Sequence, residues 1–129
     1  MPRTVEDLVA EARSRIREIS LEDLVDTLAG DLVLVDVREP DEYAQGHLPG
    51  AVNLPRGVLE FQIHAHPAMA CVADAALAEP SRRMVLYCRT GGRSALAADS
   101  LRQLGFTDVC SLAGGFEAWR NAGLSVSME

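Results

Sequence analysis

The sequence predicts an α/β fold, a central and mostly parallel sheet with helices on both faces. Three observations carry this. Continuous apolar runs at residues 32–37 and 84–87 read as strands buried on both faces, as parallel sheets require. Stretches with helical spacing follow the strands. Gly30, Gly46, Gly105 and Gly123 stand where those helices should stop. At 129 residues the alternation makes one domain, burying roughly two-thirds of the unfolded chain's surface.

Taken in order, residues 4–19 read as an amphipathic helix, with Val5, Leu8, Val9, Ala12, Ile16 and Ile19 at helical spacing. Thr4 suits its N-cap, and Glu6 and Asp7 against the later arginines suit its dipole. This helix forms an N-terminal extension over residues 1–19, ahead of a domain over residues 20–129. Ser20 caps a second helix at 21–28. The strand at 32–37 is interrupted by Asp36 alone, and a short helix opens at Glu39-Pro40. Residues 51–54 make a short strand, and 56–64 carry helical spacing at Val58, Leu59 and Ile63. Residues 65–80 are the least readable, with alanines favouring helix near 74–78 between Pro67 and Pro80. A strand at 84–87, a helix at 93–104, a strand at 109–112 and a helix at 116–121 complete the chain. Phe116 and Trp119 anchor the last helix.

The chemistry gathers at Cys88-Arg89-Thr90-Gly91-Gly92-Arg93-Ser94, where a strand gives way to a helix. Such a turn aims backbone N–H groups into the loop and sets a helix N-terminus behind it. Gly91 and Gly92 permit positive φ and close approach of a ligand. Arg89 and Arg93 add positive charge, and either can fork onto an oxyanion if it points inward. A thiol in that setting loses its proton easily, so Cys88 reads as a nucleophilic thiolate in an anion cradle. In open α/β sheets ligands sit beyond the carboxyl ends of strands, and the Cys88 loop lies at one.

Composition narrows the partners. The net charge of −7 argues against nucleic acid and anionic membranes. All twelve basic side chains are arginine, which excludes a Schiff-base lysine and a Walker-type phosphate loop. Three cysteines, Cys71, Cys88 and Cys110, with no C-x-x-C spacing, argue against a disulfide scaffold or a zinc site. No signal peptide or membrane span is legible, so the cytoplasm is the expected location.

Cys88 to Ser94 resembles the active-site loop of rhodanese-type sulfurtransferase domains. Three further stretches resemble that family's signatures and occur in its order: Leu34-Val35-Asp36-Val37-Arg38-Glu39-Pro40-Asp41-Glu42-Tyr43, Gly46-His47-Leu48-Pro49-Gly50-Ala51-Val52-Asn53-Leu54-Pro55, and Leu112-Ala113-Gly114-Gly115-Phe116-Glu117-Ala118-Trp119. The resemblance implies a rhodanese-like fold and a thiosulfate sulfurtransferase-like enzyme. Cys88 would take sulfane sulfur from thiosulfate or a similar donor as a persulfide and pass it to a thiophilic acceptor, small molecule or protein, without metal or organic cofactor. Arg89, Thr90, Gly91, Gly92, Arg93 and Ser94 would bind the substrate. A non-catalytic binding module of the same family is the alternative, though such modules typically lack the cysteine. A phosphatase or arsenate reductase is less favoured, because that loop is one residue longer; here four residues separate Cys88 from Arg93.

Asp36, Arg38 and His47 are supporting candidates. Asp36 and Arg38 read first as an ion pair bracing the sheet's end, against a role in orienting the loop or meeting substrate. His47 reads first as a brace for the turn before Pro49-Gly50, against an acid–base role. His64 and His66 lack a third ligand for a metal. Cys71 reads as a packing residue, with a resolving thiol as the alternative, and Cys110 as core.

Overall fold

The computed structural model describes residues 2–28, 30–63 and 81–128. Along the chain run α1 (Val5–Arg15), β1 (Arg17–Ile19), α2 (Leu21–Thr27), β2 (Val33–Asp36), α3 (Pro40–Ala44), β3 (Val52–Asn53), α4 (Leu59–Gln62), β4 (Met84–Tyr87), α5 (Gly92–Gln103), β5 (Val109–Leu112) and α6 (Gly115–Asn121). The strands form one five-stranded sheet in the order β1-β5-β4-β2-β3. Every strand pair is parallel, as the alternation of elements predicts.

β2 and β4 are buried at every residue, because both faces of the sheet are covered. The two-residue period of a strand divides their side chains between two cores. Val33, Val35, Met84 and Leu86 join Leu59, Ile63, Ala97 and Leu101 on one face. Leu34, Val85 and Tyr87 join Leu24, Leu112, Phe116 and Trp119 on the other. Cys88 continues the parity of Met84 and Leu86 and belongs to the first core, on the α5 side.

The helix expected over residues 4–19 stops at Arg15. Ile16 is already extended, with φ −110° and ψ 172°, and Arg17–Ile19 pairs in parallel with Cys110–Leu112. Ile16 and Ile19 keep helical spacing, so periodicity alone continues the helix through them. Pairing with a strand more than ninety residues away overrides it, since the edge of β5 offers a ladder of backbone hydrogen bonds to Arg17–Ile19. The start of the helix agrees with the expectation: Thr4 Oγ1 accepts from Asp7 N at 3.1 Å, and Asp7 Oδ2 accepts from Thr4 N at 3.0 Å. The expected helix over 56–64 narrows to the four residues of α4. The readings placed on residues 65–80, and those of His64, His66 and Cys71, lie outside the described residues. No described helix is long and apolar enough to cross a membrane.

Candidate active site

β4 ends at Tyr87 and α5 begins at Gly92, with Gly91 as its N-cap at φ +119°. That left-handed residue is the reason for glycine here: it turns the chain so that its own N–H faces back toward the cysteine. Gly91 N donates to Cys88 Sγ at 3.1 Å. Ser94, one turn into α5, places its Oγ 3.6 Å from Sγ. The thiol is 2 % exposed. Burial pushes its pKa up, but hydrogen bonds from the Ser94 N–H and hydroxyl and from the Gly91 and Thr90 N–H groups outweigh it and leave the thiol more acidic than an ordinary cysteine. The N-terminal end of α5 adds its dipole in the same sense.

Behind Ser94 stands Ser111, which the sequence reading did not single out. Its register opposite Leu86 points it to the α5 face, where its Oγ lies 2.7 Å from Ser94 Oγ. Ser94 also reaches Gly91 O at 3.2 Å. A proton donated by Ser111 leaves the Ser94 hydroxyl able to turn its own proton toward the sulfur. The signal in the sequence is a polar residue near the carboxyl end of a buried strand, the same signal that marked Asp36.

The N-terminus of α6 holds the loop from behind. Phe116 N donates to Cys88 O at 2.8 Å and Glu117 N to Arg89 O at 3.1 Å. A Cβ on Gly115 would lie 2.5 Å from Cys88 O and 2.7 Å from Arg89 O, and Gly115 has φ +57°. This close approach explains a glycine between Gly114 and Phe116 in physical terms: no side chain fits between the helix and the loop.

The two loop arginines turn to carboxylates. Arg93 forks onto Glu42 of α3, Nη1 to Oε1 at 2.8 Å and Nη2 to Oε2 at 3.1 Å, which holds the Glu42 carboxyl down at about 2. Arg89 Nε donates to Glu117 at 2.8 Å from a largely exposed side chain. Thr90 and Gly92 border the open side of the loop. There Cys88 meets a groove of about 450 Å³ between the loop, Leu96 of α5 and the α1 residues Val5, Glu6, Val9, Ala10 and Arg13. A second hollow of about 300 Å³, lined by Arg38, Glu42, Arg89, Phe116, Glu117 and Arg120 among others, does not include Cys88.

The supporting candidates form a brace. Arg38 forks onto Asp36, with Nη2 to Oδ2 at 2.7 Å and Nε to Oδ1 at 3.0 Å, and its Nη2 also donates to Gly46 O at 2.7 Å. Both residues are buried, and the guanidinium stacks 4.4 Å from the Phe116 ring centroid. His47 Nδ1 lies 2.9 Å from Tyr43 O, its ring stacks on Tyr43, and its backbone bridges to Ser127. These bonds tie the turn after α3 to the chain's C-terminal segment and do not touch the Cys88 loop. Cys110, expected in the core, is half-buried and borders a surface groove with Asp23, Asp26 and Thr27 of α2. The polar side of that short helix covers β5 incompletely. Among the described residues no group of three or more His, Cys, Asp or Glu side chains is gathered as metal ligands.

Comparison with known proteins gives one family. The rhodanese-like domain matches residues 20–122. A sulfurtransferase of Allochromatium vinosum is 36% identical over 113 residues, 86% of this chain and 94% of that protein. The chloroplastic thiosulfate sulfurtransferase 16 of Arabidopsis thaliana is 36% identical over 106 residues, 76% of this chain and 86% of that protein. Among solved structures, a Rhodopseudomonas palustris protein of unknown function, described as a possible tyrosine phosphatase, superposes with a TM-score of 0.82 at 35% identity, over 98% of this chain and 96% of that one.

Proposed function

The chain belongs to the rhodanese-like domain family, and from that premise we propose that it is a sulfurtransferase acting through a Cys88 persulfide. One observation carries the reading: a buried thiol made acidic by N–H donors opens onto a groove at the carboxyl end of a central strand. In the first step the Cys88 thiolate attacks the outer sulfur of thiosulfate or a similar donor. The donor's S–S bond breaks, and sulfite leaves with the electron pair. The negative charge passes to the outer sulfur of the new persulfide, held by the N–H groups of the loop. In the second step a thiophilic acceptor attacks that outer sulfur and Cys88 returns as thiolate. The step needs no cofactor. Asp36, Arg38 and His47 act by holding the sheet's end and the turn beside it.

The phosphatase reading has one observation behind it, the description of the Rhodopseudomonas palustris protein. Two features of this chain weigh against it. The loop puts four residues between Cys88 and Arg93, and both terminal nitrogens of Arg93 are engaged by Glu42. A tetrahedral phosphoryl group would find a small bowl whose own loop guanidinium is already paired with a carboxylate. A non-catalytic module of the same family would have no use for an acidified thiol. Free Cys88 and Cys110 suit a reducing compartment, for which the cytoplasm is our reading. We take residues 1–19 as an extension joined to a domain of residues 20–129.

Intact mass tests the function. Incubation with thiosulfate and no acceptor is expected to add one sulfur atom, at Cys88, removable by cyanide as thiocyanate. Aryl phosphate hydrolysis faster than sulfur transfer, or no adduct with any sulfane-sulfur donor, would overturn it.

A further inference from the structure

Helix α1 lies outside the matched family region, yet it makes one wall of the groove over Cys88. It is held firmly. Ala12 is fully buried, and Arg15 forks onto Asp99 of α5, Nε to Oδ1 at 3.1 Å and Nη2 to Oδ2 at 2.7 Å. The contact reaches the loop itself. Val9 Cγ2 lies 3.8 Å from where a Cβ on Gly92 would sit, and Arg13 Nη2 lies 3.2 Å from where one on Gly91 would sit. The groove is therefore apolar along Val5, Val9 and Leu96 and cationic at Arg13 and Arg93, with Glu6 of α1 the single carboxylate among the described residues of its lining. Arg13 pairs with Glu18, Nε to Oε2 at 3.4 Å.

Thiosulfate, a small dianion, leaves that apolar wall unused. We propose, resting on the sulfurtransferase reading above, that α1 is a specificity element for an organic sulfane-sulfur anion. Its apolar substituent lies along Val5, Val9 and Leu96, and its charge faces Arg13 and the loop. Burying apolar surface on both sides of the substituent supplies the preference. With a thiosulfonate the step balances as before: the Cys88 thiolate takes the outer sulfur, the S–S bond breaks, and the sulfinate leaves with the electron pair.

The test uses the full chain and three donors of increasing apolar size, thiosulfate, methanethiosulfonate and benzenethiosulfonate, with cyanide as acceptor. Because these donors differ as leaving groups, each rate is read as variant over wild type. Val5→Ser/Val9→Ser is expected to lower kcat/KM most for benzenethiosulfonate, about tenfold, and least for thiosulfate. Leu8→Ser, also exposed on α1 but not lining the groove, is expected to leave the ratios among donors unchanged. Arg13→Gln is expected to raise KM for all three donors alike. Equal losses across the donors in the valine variant, or the same graded loss from Leu8→Ser, overturn the proposal while leaving the persulfide reading standing. Failure of every donor to label Cys88 overturns the persulfide reading instead.

Discussion

Cys88 and Cys110 stand on neighbouring parallel strands, and their chemistry diverges. Cys110 sits inside β5 beside Val85, half-buried on the α2 face. Cys88 sits just past the end of β4, 2 % exposed on the α5 face. Exposure alone would make Cys110 the more acidic thiol. The reverse holds: burial pushes Cys110 up, whereas the N–H and hydroxyl donors around Cys88 bring it down against a burial penalty of its own. Backbone donors decide the matter. β5 is paired on both sides, with β1 and β4, so its N–H groups are committed to ladders. The Cys88 loop has left the ladder, and its N–H groups converge on a sulfur instead.

The largest test of this contrast is to remove each sulfur. Cys88→Ser is expected to lower sulfur transfer by at least about a thousandfold, since a hydroxyl cannot carry a persulfide. Cys110→Ser is expected to stay within about twofold of wild type. Comparable losses in the two variants would erase the distinction.

A second test breaks the cradle without touching the thiol. Gly115→Ala drives a Cβ into the carbonyls of Cys88 and Arg89, and is expected to cost on the order of 3 kcal/mol and most of the activity. Gly123→Ala has φ +76° but open space around it, and is expected to cost about 1 kcal/mol and leave transfer intact. Thermal unfolding and transfer assays separate steric intrusion at the loop from backbone strain alone.

The pH dependence of alkylation sharpens the comparison further. The thiolate is the reacting form, so a lower pKa moves the rise in rate to lower pH. The midpoint for Cys88 is expected below the ordinary cysteine value and that for Cys110 above it, read by mass mapping of iodoacetamide adducts. Ser94→Ala and, to a smaller degree, Ser111→Ala are expected to move the Cys88 midpoint up and leave Cys110 where it is. Midpoints that coincide in wild type would remove the basis for an acidified Cys88.

The smallest effect concerns Arg93. The Glu42 carboxyl is held at about 2 by the Arg93 fork. Its folded pKa lies below its unfolded one, so the pair's contribution is present above the ordinary glutamate pKa and is lost as pH falls from there toward about 2. Both partners are about one-third exposed, so solvent screening keeps the contribution small. Glu42→Gln is expected to flatten that part of the acid-stability profile. It should also free Arg93 and lower the Cys88 midpoint slightly.

Much of this was legible before any coordinates. The alternation of strands and helices, the doubly buried strands, the Thr4 and Ser20 caps and the glycine turn after Cys88 all follow from local preference and from periods of 2 and 3.6 residues. These act between near neighbours in the chain, so the residues themselves determine them. The position of Cys88 at a strand's carboxyl end belongs to the same class, and Asp36 and Arg38, two residues apart, form the ion pair their spacing suggests. Tertiary structure decided what depends on distant partners. Arg89 and Arg93 chose Glu117 and Glu42, because a long guanidinium side chain has many rotamers and settles on the carboxylate the fold brings near. Ser111 reached the site through strand register. Residues 17–19 became a strand because β5 had an open edge, and α1 became a wall of the groove because Arg15 found Asp99. Each of these contacts joins residues far apart in sequence, where no local period carries a signal, and only the closing of the chain on itself brings them together.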